Sequence, residues 1–536
     1  MPLAPTALPS PFTDRWRSEG HWGTGTVDAA FMRTCAARGA APALIDGALR
    51  MSFADWGLRA ERLAAHLQRL GIGAGDVVAY QLPNWWEAAA VFLAAARLGA
   101  IVNPVLPIFR ERELAFILKQ SNAAALIIPG TFRGCDYRTL LAPLRAGLPA
   151  LRVVVVARDT PAAHMLSFDE LLAAGPAPRA ATGDADALCM LMYTSGTTAE
   201  PKGVLHTHNT LLAEVHSLVR IHGLTPLDRT LMPSPLTHVS GVIHAILTPA
   251  VVGTSAVLMD RWEPAEALAL IARERVTYMV GAPTFLQDLA DHPARNAGDL
   301  HSLRLFSCGG APVSAALIER ARAGLGCVAK RVYGSTEFPT ITTTDAGDAA
   351  AMGSETEGRA IPPGVVRIVD ERGRPVPAGD EGEVQAIGPE CCVGYSDATL
   401  NGDAFTADGW FRTGDLGRLD GAGYLRITGR LKDIVIRKGE KFSVRELEEA
   451  IARHPAVADA AVLALPDARS GERACAVVAL RAGAAVTLDE LCAFLLAQGL
   501  AKQKLPEQLE VLAALPRTDS GKVQRNALKQ RFTPPG

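Results

Sequence analysis

Between Asp76 and about Arg331 the chain alternates short apolar runs, VVAYQL, ALIIP, VVVVA, ALCMLMY, SAVLM and LRLFSC, with segments of helical period. Runs of that length suit buried strands, and their alternation with helices is the pattern of α/β layers. Trp85 to Leu98 reads as one such helix, with Ala89, Phe92, Leu93 and Ala96 on a single packing stripe between strands beginning at Val77 and Ala100. After Gly353 the texture changes to short strands punctuated by glycine (GVVRIVD, ERGRPVPAGDEGEVQAIG, GWFRTGDLGRLDGAGYLRITGR), as in a hairpin-rich β subdomain. From about Leu431 a helix opened by a capping box, Ser443 to Glu446, and stopped at His454-Pro455 is followed by the strands VADAAVLALP and ERACAVVALR. A helix near Leu488 to Gln498 and a strand near Leu509 complete that part. The expected fold is therefore α/β: a large multi-layer N-terminal domain, residues 1–430, of α/β sheets plus the β subdomain, and a small α+β C-terminal domain, residues 431–536.

With 536 residues the chain exceeds what one core sustains, so at least two domains are expected. Lys and Arg number 54 against 56 Asp and Glu, a formal net charge of -2 that offers no basic field for nucleic acid. The run Ala88 to Ala96, closed by Glu87 and Arg97, is far short of a bilayer span, and the proline-rich start has no apolar stretch of signal length. Nine cysteines, with no repeated Cys-x-x-Cys pair, suit a reducing compartment, and we expect a cytoplasmic protein without integral membrane association.

The sharpest local signal is Tyr193-Thr194-Ser195-Gly196-Thr197-Thr198-Ala199-Glu200-Pro201-Lys202-Gly203, directly after an apolar strand. Its hydroxyls, glycines and lysine can wrap a polyphosphate with side-chain and backbone donors. Taken alone it is equally a Ser/Thr-rich surface loop, and it is not the Gly-x-x-x-x-Gly-Lys pattern. Four further segments follow in order: PLTHVSG (235–241), YGSTE (333–337), TGDLG with GYLRITGRLKD (413–433), and PRTDSGKVQR (516–525).

Together these five segments resemble the adenylate-forming superfamily of acyl-CoA synthetases, adenylation domains and luciferases, over about Ala30 to Leu528. LPIFREREL and YTSGTTAEPKGVLHTHN are most similar to short- and medium-chain fatty-acid or cyclohexanecarboxylate CoA ligases. The resemblance implies ATP, Mg²⁺ and coenzyme A, and an acid-thiol ligation that passes through an acyl-adenylate. It assigns Thr194, Ser195, Gly196, Thr197, Thr198 and Lys202 to the β- and γ-phosphates, and Thr194 and Glu337 to Mg²⁺, which favours hard oxygen ligands. Gly310, Ala311, Pro312 and Tyr333 line the adenine slot, Gly334, Ser335 and Thr336 complete the nucleotide site, and Thr336 donates to the α-phosphate. Asp415 accepts from the ribose hydroxyls, and Arg430 reaches the ribose or phosphate. By the same resemblance Lys522 is the catalytic cation bridging carboxylate and α-phosphate, on a small domain that swings about the hinge Lys432 to open a pantetheine channel beside Lys438 and Gly439. His238 lies near the acyl carboxylate, with Val239, Val242, Phe285, Phe338 and Ile341 forming a mostly apolar pocket suited to an aliphatic or alicyclic acid.

Taken singly, Lys202 is an ordinary surface lysine, Asp415 a turn residue after Gly414, and Tyr333 and His238 core side chains; only the joint pattern raises them. Two positions depart from the family's habit. Ala199 replaces a loop glycine, and Lys438 stands where glycine is common, either narrowing the channel or meeting a CoA phosphate. The alternatives are a carrier-protein loader, a catalytically dead nucleotide-binding module, which intact Lys522, Glu337 and Asp415 oppose, and a luciferase-like oxidase. A homodimer, and acetylation of Lys522 by an acetyltransferase with removal by a deacetylase, are carried as further expectations.

Overall fold

The structure, a computed structural model, describes residues 10–173, 178, 183–194, 200–296, 299–431, 433–437, 440–467, 471–517 and 523–533. The apolar runs become the strands of two large sheets. One runs Lys202–Thr207, Leu188–Thr194, Ile101–Pro104, Val77–Tyr80, Ala123–Pro129, Val153–Ala157, Leu166–Ser167, parallel throughout except for the pair Leu188–Thr194 and Lys202–Thr207. The other has nine strands, with Tyr278–Gly281, Leu305–Cys308 and Val328–Tyr333 parallel and adjacent. The largest hydrophobic cluster takes side chains from both sheets, including Val78, Tyr80, Met232, Leu258 and Tyr278, so the sheets share one core.

The expected helix occupies Trp86–Arg97, but it is buried on every side rather than along one stripe; only Arg97 escapes. Its residues belong to the cluster shared by both sheets, and a helix enclosed in this way has no solvent face to keep polar. An alanine-rich sequence with one acid at the start fits that enclosure, and Glu87 is satisfied there by Arg158 Nε at 2.7 Å.

The glycine-punctuated region forms a four-stranded antiparallel sheet, Val365–Val369, Gly382–Ile387, Phe411–Leu419, Leu425–Arg430. Beyond it, Ile434–Arg437, Glu440–Ser443, Val457–Asp467, Gly471–Leu480 and Gln508–Leu512 build a five-stranded sheet with its own core around Val435, Leu447, Val462 and Leu491. The helix expected after Ser443 spans Val444–Ile451, ending before His454-Pro455. Its capping box does not form. Ser443 Oγ accepts from Arg445 N (3.1 Å) and donates to the Thr428 carbonyl (2.7 Å), while Glu446 turns outward to Lys504 at 2.7 Å. A long-range ion pair has taken the carboxylate that a local rule assigned to the cap. Among the described residues no helix is long and apolar enough to cross a membrane.

Candidate active site

The hydroxyl-rich loop leaves the first sheet at Thr194 and re-enters at Lys202, the two residues being opposite each other in the antiparallel pair. Ser195, Gly196, Thr197, Thr198 and Ala199 lie outside the described residues, as do Lys432, Lys438, Gly439 and Lys522. The returning strand is at the edge of its sheet, and the segment Val393 to Ser396 covers that edge: Val393 N donates to Leu205 O, Leu205 N to Gly394 O, and Ser396 N to Gly203 O. Gly203 permits the approach, since a Cβ there would lie 2.4 Å from Ser396 Oγ. Tyr395 is thereby set beside Lys202, whose ammonium sits 5.3 Å from the centre of its ring. The Tyr395 hydroxyl donates to Glu337 Oε1 at 2.7 Å. Thr194, Lys202, Tyr395 and Glu337 thus form one contiguous set.

Glu337 and Thr336 stand on a tight turn in which Ser335 N donates to Phe338 O (2.9 Å) and Phe338 N to Ser335 Oγ (3.3 Å). Gly334 is required here, because a Cβ would come within 2.0 Å of Pro339 O. The turn is held from behind by His206, fully buried, whose Nε2 lies 2.8 Å from the Thr336 carbonyl and whose Nδ1 lies 3.1 Å from the Thr210 hydroxyl. Burial holds this imidazole down to about 4, so at neutral pH it is uncharged and its Nε2–H donates to the carbonyl.

A second polar group forms where Asp415 and Arg430 face each other across neighbouring strands. Asp415 Oδ1 accepts from Arg430 Nε (2.9 Å) and Oδ2 from the Tyr333 hydroxyl (2.6 Å). Burial, and then the Asp415 charge, push the Tyr333 phenol well above its ordinary range, so it remains a donor. The Asp415 charge likewise raises Arg430. Each carboxylate oxygen keeps lone pairs beyond these bonds and can accept a vicinal diol. Gly310, at φ +79°, follows the strand Leu305–Cys308 and leads into Ala311 and Pro312 at the strand's C-terminal end. Its neighbour Gly309 is the sterically demanding one, with a Cβ there only 2.3 Å from Val332 O.

His238 begins a short helical turn, Val239–Gly241, and its Nδ1 lies 3.0 Å from Ser240 Oγ. The segment leading to it is clasped by Asn84, whose Nδ2 reaches the Met232, Ser234 and Met259 carbonyls within 3.1 Å and whose Oδ1 accepts from Leu236 N at 2.7 Å. The chain then continues as a buried π-helical segment, Val242–Leu247, a geometry often met at functional sites. The five expected pocket residues do not gather in one cluster. Val239 and Val242 belong to the core between the large sheets, Phe285 to the cluster around Leu286 and Phe306 with its ring 4.7 Å from Trp262, and Phe338 and Ile341 to a small cluster with Phe411.

Tyr395, His206 and Asn84 escaped the reading from residues alone. Each acts through a partner more than fifty positions away, and only Gly394, at φ +121°, gives a local mark of the turn that aims Tyr395.

The description "AMP-binding enzyme" matches residues 31–396, and "AMP-binding enzyme C-terminal domain" matches residues 446–522. The chain belongs to the AMP-binding enzyme family. This AMP-binding enzyme is 36% identical to a medium-chain fatty-acid–CoA ligase of Escherichia coli K12, over 96% of this chain and 92% of that one. It is 33% identical to a 2,3-dihydroxybenzoate-AMP ligase of Bacillus subtilis, over 98% and 97% respectively. The ATP-bound structure of MatB from Rhodopseudomonas palustris superposes with a TM-score of 0.86 at 29% identity, covering 95% of this chain and 99% of that one. The fold is that of an adenylate-forming enzyme, and its chemistry is the ATP-dependent activation of an acid; CoA ligases of the family use ATP, Mg²⁺ and CoA. The oxygens of Glu337 and Thr194 are the hard donors that Mg²⁺ favours, and the Tyr395 hydroxyl engages Glu337 through Oε1.

Proposed function

We propose that this enzyme condenses an aliphatic medium-chain or alicyclic carboxylic acid with ATP to an acyl-adenylate and pyrophosphate, then forms the CoA thioester with release of AMP. The observation carrying the reading is the pairing of two assembled polar sets, Lys202, Tyr395 and Glu337 on one side and Tyr333, Asp415 and Arg430 on the other. The first suits a polyphosphate and the second a ribose.

The acid is already ionised at neutral pH, so the first step needs no strong base. A carboxylate oxygen attacks the α-phosphorus in line with the departing pyrophosphate; one P–O bond forms as the α–β bridge breaks. Bound Mg²⁺ supplies charge neutralisation on the phosphates. Lys202 takes the outer phosphates, the Thr336 hydroxyl the α-phosphate, and Lys522 bridges the two anions while they approach. Asp415 and Arg430 hold the ribose end, and Gly310, Ala311 and Pro312 the base. His238 orients the acid's carboxylate, with Val239 and Val242 beside it as the nearest apolar lining. In the second step a thiolate attacks the acyl carbon and the C–O bond to AMP breaks.

The chain divides in this reading at 430/431, with Lys432 as the hinge and Lys438 and Gly439 beside the incoming thiol. The 36% relative, named for a medium-chain fatty acid, supports the substrate class, and a cytoplasmic location follows from that metabolism. A second reading, transfer to a carrier-protein thiol, is favoured by the 33% relative, whose name ends at the AMP step. Exchange of labelled pyrophosphate into ATP, scored over straight-chain, cyclohexane and aromatic acids, tests adenylation; no exchange with any acid removes the proposal. Free CoA and a holo-carrier, offered separately with the best acid, decide between the acceptors.

A further inference from the structure

Lys202 and Glu337 carry opposite charges and both touch Tyr395, yet no salt bridge joins them among the described residues. Tyr395 stands between them. Its ring takes the ammonium on one face, and its hydroxyl, at the far end of the same side chain, takes Glu337 Oε1. The backbone behind it is fixed: Tyr395 N donates to Asn401 Oδ1 at 2.9 Å, Val204 pairs with Tyr395 as an antiparallel bridge, and Cys392 N donates to the Glu337 carbonyl at 2.7 Å. Glu337 is therefore tied to the Cys392–Ser396 segment through both its main chain and its carboxylate. A contact made at both ends of one rigid aromatic side chain sets the separation of the two charges it touches.

We propose that Tyr395 is a positioning residue for nucleotide binding: it spaces the metal-binding carboxylate of Glu337 from the phosphate-binding ammonium of Lys202, and by holding Oε1 it fixes the orientation of that carboxylate for the divalent cation. This rests on the adenylation reading above. Without the ring, Lys202 can collapse onto Glu337, and an ion pair made within the empty site must be broken for each nucleotide bound. Without the hydroxyl alone, the carboxylate loses the donor that orients it, and outer partners of metal-ligating carboxylates are worth about 10- to 100-fold in metal affinity.

The test uses the full-length enzyme with Mn²⁺ as probe and α,β-methylene-ATP as the inert nucleotide. Free Mn²⁺ is counted by electron paramagnetic resonance, so the readout does not depend on turnover. Tyr395→Phe keeps the ring and should weaken Mn²⁺ binding about tenfold while leaving the KM for the acid unchanged. Tyr395→Leu removes both contacts and should weaken Mn²⁺ and nucleotide binding further. Mn²⁺ affinity of the Phe variant within twofold of the parent overturns the proposal, as does an equal rise in its KM for the acid, which marks general damage. A Leu variant no worse than the Phe variant overturns the Lys202 half of it. Failure of the adenylation reading is separately visible, since the parent enzyme then exchanges no pyrophosphate while the Mn²⁺ comparison is still read.

Discussion

On the side proposed to hold the nucleotide, polar groups hold one another across the fold: Lys202 on Tyr395, Tyr395 on Glu337, Tyr333 and Arg430 on Asp415. On the side proposed for the acid, His238 has a near neighbour in Ser240, and the apolar residues expected to line the pocket are spread over three separate clusters. The contrast follows from what each side must accommodate. A nucleotide presents the same phosphates and ribose at every turnover, so directional bonds can be built in advance and retained. An acyl chain offers only apolar surface, and apolar contact is non-directional. The first side is therefore rigid and specific in its residue types, whereas the second is defined by shape.

The largest expected effect tests whether the nucleotide side is complete without the C-terminal lysine. Lys522→Ala should lower pyrophosphate exchange by about 10³-fold, the scale of losing a charge that acts only as the transition state forms. Thioester formation from supplied acyl-AMP should be spared. Equal loss in both half-reactions would take Lys522 out of its assigned role and leave Lys202 as the cation of the site.

Asp415→Asn comes next. It keeps the shape but removes the charge shared by Tyr333 and Arg430, and kcat/KM for ATP should fall about 100-fold, as hydrogen bonds to charged groups are worth about 1.5–3 kcal/mol each. The KM for the acid should not move. His238→Ala should give the mirror image at smaller size, with KM for the acid raised about tenfold and KM for ATP unchanged. If either variant shifts both constants together, the two sides are coupled and the contrast drawn above fails.

The same contrast explains what could be read from the chain before its structure. The strands were legible because burial on both faces leaves continuous apolar runs such as VVVVA at Val153–Ala157. Asp415 and Tyr333, which the structure joins by a hydrogen bond, could be singled out because each sits in a short motif of fixed residue types. Tyr395 was not, because a tyrosine is as good a core residue as a spacer, and its partners Lys202 and Glu337 lie on other elements. Nor did the pocket residues declare themselves: Phe285 and Phe338 are apolar whether they line a cavity or fill a core, and here they pack in different clusters. Local rules failed where a distant partner won, as at Ser443, whose cap is shared with the Thr428 carbonyl while Glu446 pairs with Lys504.

The smallest effect concerns the helix His208–His222, which packs against the strand Lys202–Thr207 and the segment Val242–Leu247 and carries Glu214. Glu214 accepts from the Thr340 hydroxyl at 2.6 Å, and burial, with the charge of Glu390 second, pushes it up to about 8; burial pushes Glu390 up to about 7. A carboxyl whose folded value lies above its unfolded one near 4.5 contributes its stability fully below that value and loses it as pH rises through the folded one. The buried His206, His208 and His244, held down to about 4, act in the opposite direction, but only below their unfolded value of 6.5. Between pH 7 and 9 the histidines are neutral in both states, but Lys330, held down to about 8 by burial, adds stability as pH rises, so the Glu214 effect is read as a difference from a variant that cannot ionise there. Glu214 ionising in that window should cost about 1 kcal/mol, a loss of about 2 °C in Tm relative to the non-ionising variant, read by thermal unfolding of both at several pH values. Glu214→Gln keeps an acceptor for Thr340 but cannot ionise, so its Tm should gain on the parent's as pH rises over the same range. A parent and variant that move in parallel would place the proton elsewhere.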